Sequence, residues 1–487
     1  MSSLSTVALP ANLRPVLGAR ATGAIAAGSL AGLVALSFTV VLIAADRPSF
    51  LTPTARPGFF PAWMAGPLRG LWPGLTSNGD TLAWLVSALM GAMYVLYIGA
   101  FLAVPRIRAR WTIAALLAIH LIFLLAPPLS YTDVFNYINY GRMGIVHHLN
   151  PYTALPAAEP RSDPAFGLSN WHHLRSPYGP LFTLLSYVLV PLGVPASFWA
   201  LKLIVGAASL ATLTLVWKCA RRLGRSEVAA VVFVGGNPIV LIWGLGADHN
   251  DSLMMLFVVL AIYLTLHRRA PVSGGVDGGG RPASLAAAAA GVALMTAIFI
   301  KASAAVLLPL FLVAGGRRWF LAGSLLTGGI LAAISVIAFG YHLPDLSTQS
   351  SLVTAVGLPN LFGLALGLGG ETAGLSTIFS LTVALAVAAC TIRIIRRPGD
   401  WIGACAVAML VLVVSLSWAA PWYLLWVLPL AALSRPRGPR IAALVVGGYF
   451  ILAFMPAASR LAGDIHFRPQ ATPLGIRHTR AISAAVG

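Results

Sequence analysis

Charge is what this chain has least of: Asp, Glu, Lys and Arg together make up 9% of 487 residues, and only 13 of those residues are acidic. Such a composition, with 58% hydrophobic residues, excludes an ordinary soluble domain and identifies a multispan membrane protein. Cysteine is also scarce. Cys219, Cys390 and Cys405 fall in or beside apolar segments without CxxC spacing, which excludes a disulfide framework or a cysteine metal cluster. No Gly-rich dinucleotide-binding fingerprint and no soluble carbohydrate-binding segment is present.

Basic residues outnumber acidic ones, 32 to 13, but they stand in short clusters between apolar runs rather than on one face or tail. They therefore mark topology and not nucleic-acid binding. Residues 22–45 are long enough to span a bilayer and are read as a retained helix. Arg14 and Arg20 hold the N-terminus inside. The second span, 80–104, returns to Arg106, Arg108 and Arg110, and the third, 111–129, exits and delivers Asp133 to the external face.

Residues 130–195 are too polar and too Pro-interrupted for a span and are expected to form an external loop with amphipathic or re-entrant surface helices. Further spans are expected at 197–217, 227–246 and 252–266, followed by a cytoplasmic Gly-rich linker at 270–283. The apolar run 284–314 carries Lys301 at its middle; two short helices with the lysine at their external tip avoid burying an ammonium at mid-membrane. A span at 320–340, an external loop at 341–374, four later spans and a basic tail at 458–487 complete an all-α polytopic protein of about 13 crossings. Arg393, Arg396, Arg397, Arg435, Arg437 and Arg440 mark inner ends, and parity leaves the tail outside.

This path gathers Asp133, Arg142, His147, His148, His172, His173, Arg175, Asp248, His249, Asp251, Lys301, His342 and the SWAAPWY turn at one external face, the arrangement an active site at a membrane surface needs. Adjacent histidines point about 100° apart on a helix, so no shared metal is expected, and no cofactor is called.

Asp133 after an apolar helix, GRMGIVHHLNPYT, SPYGPLF, NPIVLIWGLGADHND, IFIKASAAVLLPLF and SWAAPWYLLW occur in that order. Together they resemble polyprenol-phosphate-mannose-dependent mannosyltransferases of the GT-C superfamily, most of all the actinobacterial α-1,6-mannosyltransferases of lipomannan and lipoarabinomannan cores. The resemblance covers roughly residues 110–435. It implies a GT-C fold in the plasma membrane with its active site outside, a polyprenyl phosphomannose donor and a mannan or lipoglycan acceptor. It also implies that Asp133 is the base of an inverting transfer, with Arg142, Arg175, Lys301 and His342 available for the donor phosphate. Tyr137, Tyr178, Asp248, His249, Asp251, Trp422 and Tyr423 are the candidate substrate contacts. Plainer readings stand beside several of them: Asp133 as a helix N-cap, the Asp248–His249–Asp251 triplet as a structural helix cap, its functional readings being a cation site or sugar-hydroxyl contacts, and Trp422 with Tyr423 as an interfacial belt. Another polyprenyl-phosphate sugar, or a lipid-linked sugar transporter, is the alternative. The transporter reading predicts mid-membrane charges and a repeat between halves, and the sequence displays neither.

Overall fold

A computed structural model describes residues 19–52, 58–74, 78–104, 107–268 and 280–487. Arg14, Arg106, Arg269 and most of the 270–283 linker lie outside these. Among the described residues the chain is helical and has no β-strand. Among the described residues, seven helices are long and apolar enough to cross a membrane, or up to nine when each of two bent pairs is one span. Four shorter apolar helices, including Ala109–Leu124 and Asp251–His267, make up segments that the sequence reading took as spans.

Local chemistry sets the helix ends. Asn78 accepts hydrogen bonds from the amides of Asp80 and Thr81 to start Gly79–Ala103, and Ser226 and Thr372 cap Glu227–Gly235 and Ala373–Arg396 in the same way. Pro238 cannot donate to a helix ladder, and the segment 227–246 breaks there by 65°. The chain continues as a π-type turn, Val240–Gly246, which presents the 247–250 turn to the site. Lys301 adopts an extended backbone (φ −153°, ψ 122°) that ends Gly280–Ile300, as expected of a charge interrupting an apolar run.

The outward surface is that of a lipid-solvated protein. Only 11% of the most apolar window of Ala373–Arg396 is buried, and Val95, Ile337 and Leu385 are exposed. In water such a surface would drive aggregation; in hydrocarbon it costs nothing. Pro180–Arg222 runs for 43 residues, roughly twice a bilayer's requirement. Its first part, Pro180–Leu189, packs one face on Asp133–Ile145 and leaves Val188 exposed.

The two ends of the bundle differ in charge. At one end Arg225 donates to the carbonyl of Leu433, Arg440 to that of Ser434, and Arg393 pairs with Asp400 at 2.9 Å. At the other end lie Asp133 and the polar loops. The tail returns to that same end, where the amides of His172 and His173 donate to the carbonyls of Val486 and Ala485.

Candidate functional site

Asp133 is the first residue of the helix Asp133–Ile145, where the helix dipole favours a carboxylate. Its side chain caps nothing. Oδ1 instead accepts a hydrogen bond from the Tyr178 hydroxyl at 3.0 Å, and Oδ2 lies 3.6 Å from Nε2 of His249. Burial would raise the Asp133 carboxyl, but His249, the Tyr178 hydrogen bond and the charge of Lys301 outweigh it and hold it below the ordinary carboxylate value. Its side chain keeps 14% exposure, so an ionised carboxylate meets the entrance of the site.

Close backbone approaches position these partners. Gly179 donates its amide to the carbonyl of Ile300 at 3.1 Å, and any Cβ there would collide with the Phe299 carbonyl; this contact sets Tyr178 beside the Lys301 break. The amide of Leu129 donates to the carbonyl of Gly246 at 2.9 Å, tying the approach to Asp133 to the 247–250 turn. Ser130 and Asp248 adopt positive φ, 65° and 57°, a strained conformation for residues with a side chain and one that clusters at functional sites.

His249 is 1% exposed and lies flat against Trp422, with ring centroids 3.8 Å apart and planes 19° apart. Tyr131 packs edge-on against both rings. Trp422 and Tyr423 are buried, which excludes the lipid-facing belt. Asp251 is fully buried and receives Lys301 at 2.8 and 2.9 Å, together with the indole N–H of Trp426. The ammonium of Lys301 lies 5.2 and 5.4 Å from the Tyr423 and Trp426 ring centroids and is 17% exposed. Asp248 pairs with Lys202 at 3.3 Å; burial pushes its carboxyl up to about 6 against the pull of that lysine. With both carboxylates taken by lysines, the Asp248–Asp251 turn is no ready cation site. The Tyr137 hydroxyl accepts from the amide of Asn250, and burial raises both the Tyr137 and Tyr178 phenols, so both stay neutral.

The remaining sequence candidates stand apart from this cluster. Arg142 forks onto Asp163 at 2.8–3.0 Å, and His147 joins that carboxylate at 2.7 Å. Arg175 pairs with Asp345 at 3.6 Å, half exposed, and His342 is exposed. His172 stacks on Phe166 and bonds its carbonyl, a packing role. Sequence reasoning missed Lys202, Tyr131, Trp426 and the Asn136–Asn170 pair that braces the helix start. Lys202 had the same signal as Lys301, a lone ammonium in an apolar helix.

A polytopic helical membrane protein with an open acid beside a buried histidine and a lysine–aromatic corner is the class that fold and site define. A profile described as "Alpha-(1->6)-mannopyranosyltransferase, N-terminal domain" matches residues 55–317, and an "MptB C-terminal domain" profile matches residues 353–482. The chain belongs to the alpha-(1->6)-mannopyranosyltransferase family. It is 26% identical over 395 residues to an alpha-(1->6)-mannopyranosyltransferase of Mycobacterium tuberculosis, covering 66% of this chain and 65% of that one. It is 27% identical over 385 residues to a probable alpha-(1->6)-mannopyranosyltransferase of Mycolicibacterium smegmatis, covering 67% and 66%. Alpha-(1->6)-mannopyranosyltransferase A of Corynebacterium glutamicum is 30% identical over 210 residues, 42% of this chain and 38% of that one. The chain thus spans just under two thirds of the length of the first two relatives. No solved structure matches it.

Proposed function

We propose that this protein is an inverting mannosyltransferase that moves mannose from polyprenyl phosphomannose to a mannan or lipoglycan acceptor in α-1,6 linkage, at the extracytoplasmic face of the plasma membrane. The observation that carries the reading is Asp133: an ionised, partly open carboxylate held by a phenol and a histidine at the rim of a membrane bundle. An acceptor hydroxyl attacks the anomeric carbon of a β-linked donor, Asp133 takes the hydroxyl proton as the bond forms, and the lipid phosphate departs with the electrons of the broken C–O bond. The leaving phosphate is anionic and needs cations rather than a general acid. Lys301 supplies one: two of its three N–H donors go to Asp251 and the third is free for the phosphate. Arg175, half exposed on a loop of the same end and paired with Asp345, and His342, exposed on the 341–374 loop, are the further basic side chains that donor binding could draw in.

Family membership and the relatives' names support mannose and the linkage. A cavity of about 190 Å³ between Val40, Met90, Tyr131, Trp243 and Phe454 supports a lipid donor, since its walls are mostly apolar and it is lined by Ser130 and Tyr131, just before Asp133 in the chain. Arg225, Arg393 and Arg440 at the opposite end support an external site, whereas the tail helix with Arg477 and Arg480 lies at the site's own end and argues against it. The test is to offer purified protein polyprenyl phosphomannose, phosphoglucose and phosphoarabinose with a short α-mannoside acceptor. Methylation analysis of the product is expected to find new 6-linked mannose. Transfer from another donor alone would move the reading to that sugar, and no transfer from any of them would overturn it.

A further inference from the structure

The way His249 is held decides where the abstracted proton goes. A backbone carbonyl only accepts hydrogen bonds, so the 2.6 Å contact from Nδ1 to the Trp243 carbonyl fixes a hydrogen on Nδ1. Nε2 is then the one edge of the ring that gains or loses a proton. That nitrogen is buried, has no hydrogen-bond partner, and lies 3.6 Å from Oδ2 of Asp133. The gap is too long for a direct hydrogen bond, and a buried unsatisfied nitrogen is costly. A hydroxyl that reaches Oδ2 therefore also comes to the edge of the imidazole.

The surroundings favour a cation on this ring. The face of Trp422 lies 3.8 Å away, and an indole face attracts positive charge. Of the three carboxylates around the ring, Asp248 is paired with Lys202 and Asp251 with Lys301, while Asp133 has no lysine of its own. Tyr131, Tyr137, Tyr178 and Tyr423 face the same corner as phenols that burial keeps neutral.

We propose that His249 is the proton relay of the transfer: Asp133 takes the acceptor's hydroxyl proton through Oδ2 and passes it to Nε2 of His249. The proposal rests on the glycosyl-transfer reading above. The hydroxyl O–H bond breaks, its oxygen bonds the anomeric carbon, the C–O bond to phosphate breaks with both electrons on phosphate, and the proton ends on Nε2. The site finishes the step as a carboxylate–imidazolium pair and returns the proton to water as product leaves. An ordinary carboxylate is almost wholly ionised at neutral pH and so is a poor final home for a proton, whereas an imidazole is a better one.

The test is the pH dependence of transfer from polyprenyl phosphomannose to methyl α-mannoside, for wild type and His249→Gln, with histidine NMR on the same ¹⁵N-labelled proteins. Wild type is expected to lose rate as pH falls from about 7.5 to about 5.5, the range in which imidazoles protonate. Carboxylates ordinarily titrate below that range and do not supply such a limb. His249→Gln is expected to lower kcat by roughly 10²-fold, abolish the limb and leave the donor KM unchanged. A variant that slows while keeping the limb makes His249 merely structural and overturns the relay.

NMR reads the pair without turnover: His249 is expected to keep hydrogen on Nδ1 while Nε2 titrates, and Asp133→Asn is expected to move that titration to lower pH. If these signals appear but wild type transfers no mannose, the transfer reading fails and the coupled pair stands. If mannose is transferred while Nδ1 is the titrating nitrogen, the relay is wrong and the transfer reading survives.

Discussion

Two carboxyls four residues apart, Glu159 and Asp163, meet opposite fates. Asp163 accepts Arg142, His147 and the amide of Ala165; burial acts against it, but these donors hold it below the ordinary range. Glu159 has a weak bond from Asn139 and one unpartnered oxygen, so burial and the charge of Asp163 raise it to about 8. A carboxyl raised on folding binds its proton more tightly in the native state. Its contribution is therefore complete below about 4.5 and is lost as pH rises towards about 8. Glu159→Gln keeps the neutral amide form at every pH and is expected to raise Tm at pH 8 while leaving it nearly unchanged at pH 5. Thermal unfolding at both values checks this, and an equal shift at both would contradict it. The same comparison shows why Arg142 was misleading in the sequence. Its partner lies 21 residues on, in an irregular loop without periodicity, so nothing local marked the guanidinium as taken.

At the scale of elements, what could be read was what hydropathy and charge dictate. The break at Lys301 and the polar character of 130–179 follow from residues that cannot continue an apolar helix, whereas the 65° break at Pro238 falls inside 227–246, expected as one span. Contacts made by backbone at close range were not legible, because glycine has no side chain to announce them. Gly179 is the example. Gly179→Ala puts a Cβ into the carbonyl of Phe299, where no flexible side chain can yield. The helix Pro180–Leu189 must shift, costing roughly 1–3 kcal/mol, and Tyr178 leaves Asp133. Expected are a lower Tm and a transfer rate reduced as far as in Tyr178→Phe; a variant with wild-type Tm and rate would contradict this account of the contact.

For the whole molecule, the gathering of acid, histidine and aromatic side chains at one end of the bundle is the organising fact. The sequence reading separates Arg225, Arg393 and Arg440 from Asp133, and in the structure they gather away from it. It could not give the packing within an end, because Lys202 with Asp248 and Trp426 with Asp251 join segments 46 and 175 residues apart. Sidedness is open to direct measurement. Tyr341 is 91% exposed and the three native cysteines are buried. Tyr341→Cys is therefore expected to react with a membrane-impermeant maleimide on intact cells, whereas reaction only after permeabilisation would place the site inside.

The central claim, that Asp133 is the base of a mannosyl transfer, is tested most directly by comparing wild type with Asp133→Asn in transfer from polyprenyl phosphomannose to a short α-mannoside. The substitution keeps the shape and the Tyr178 contact while removing the basic oxygen. Loss of transfer by roughly 10²–10⁴-fold, with donor binding and Tm retained, is the predicted result. Equal rates in the two proteins would contradict the claim and remove Asp133 from the chemistry.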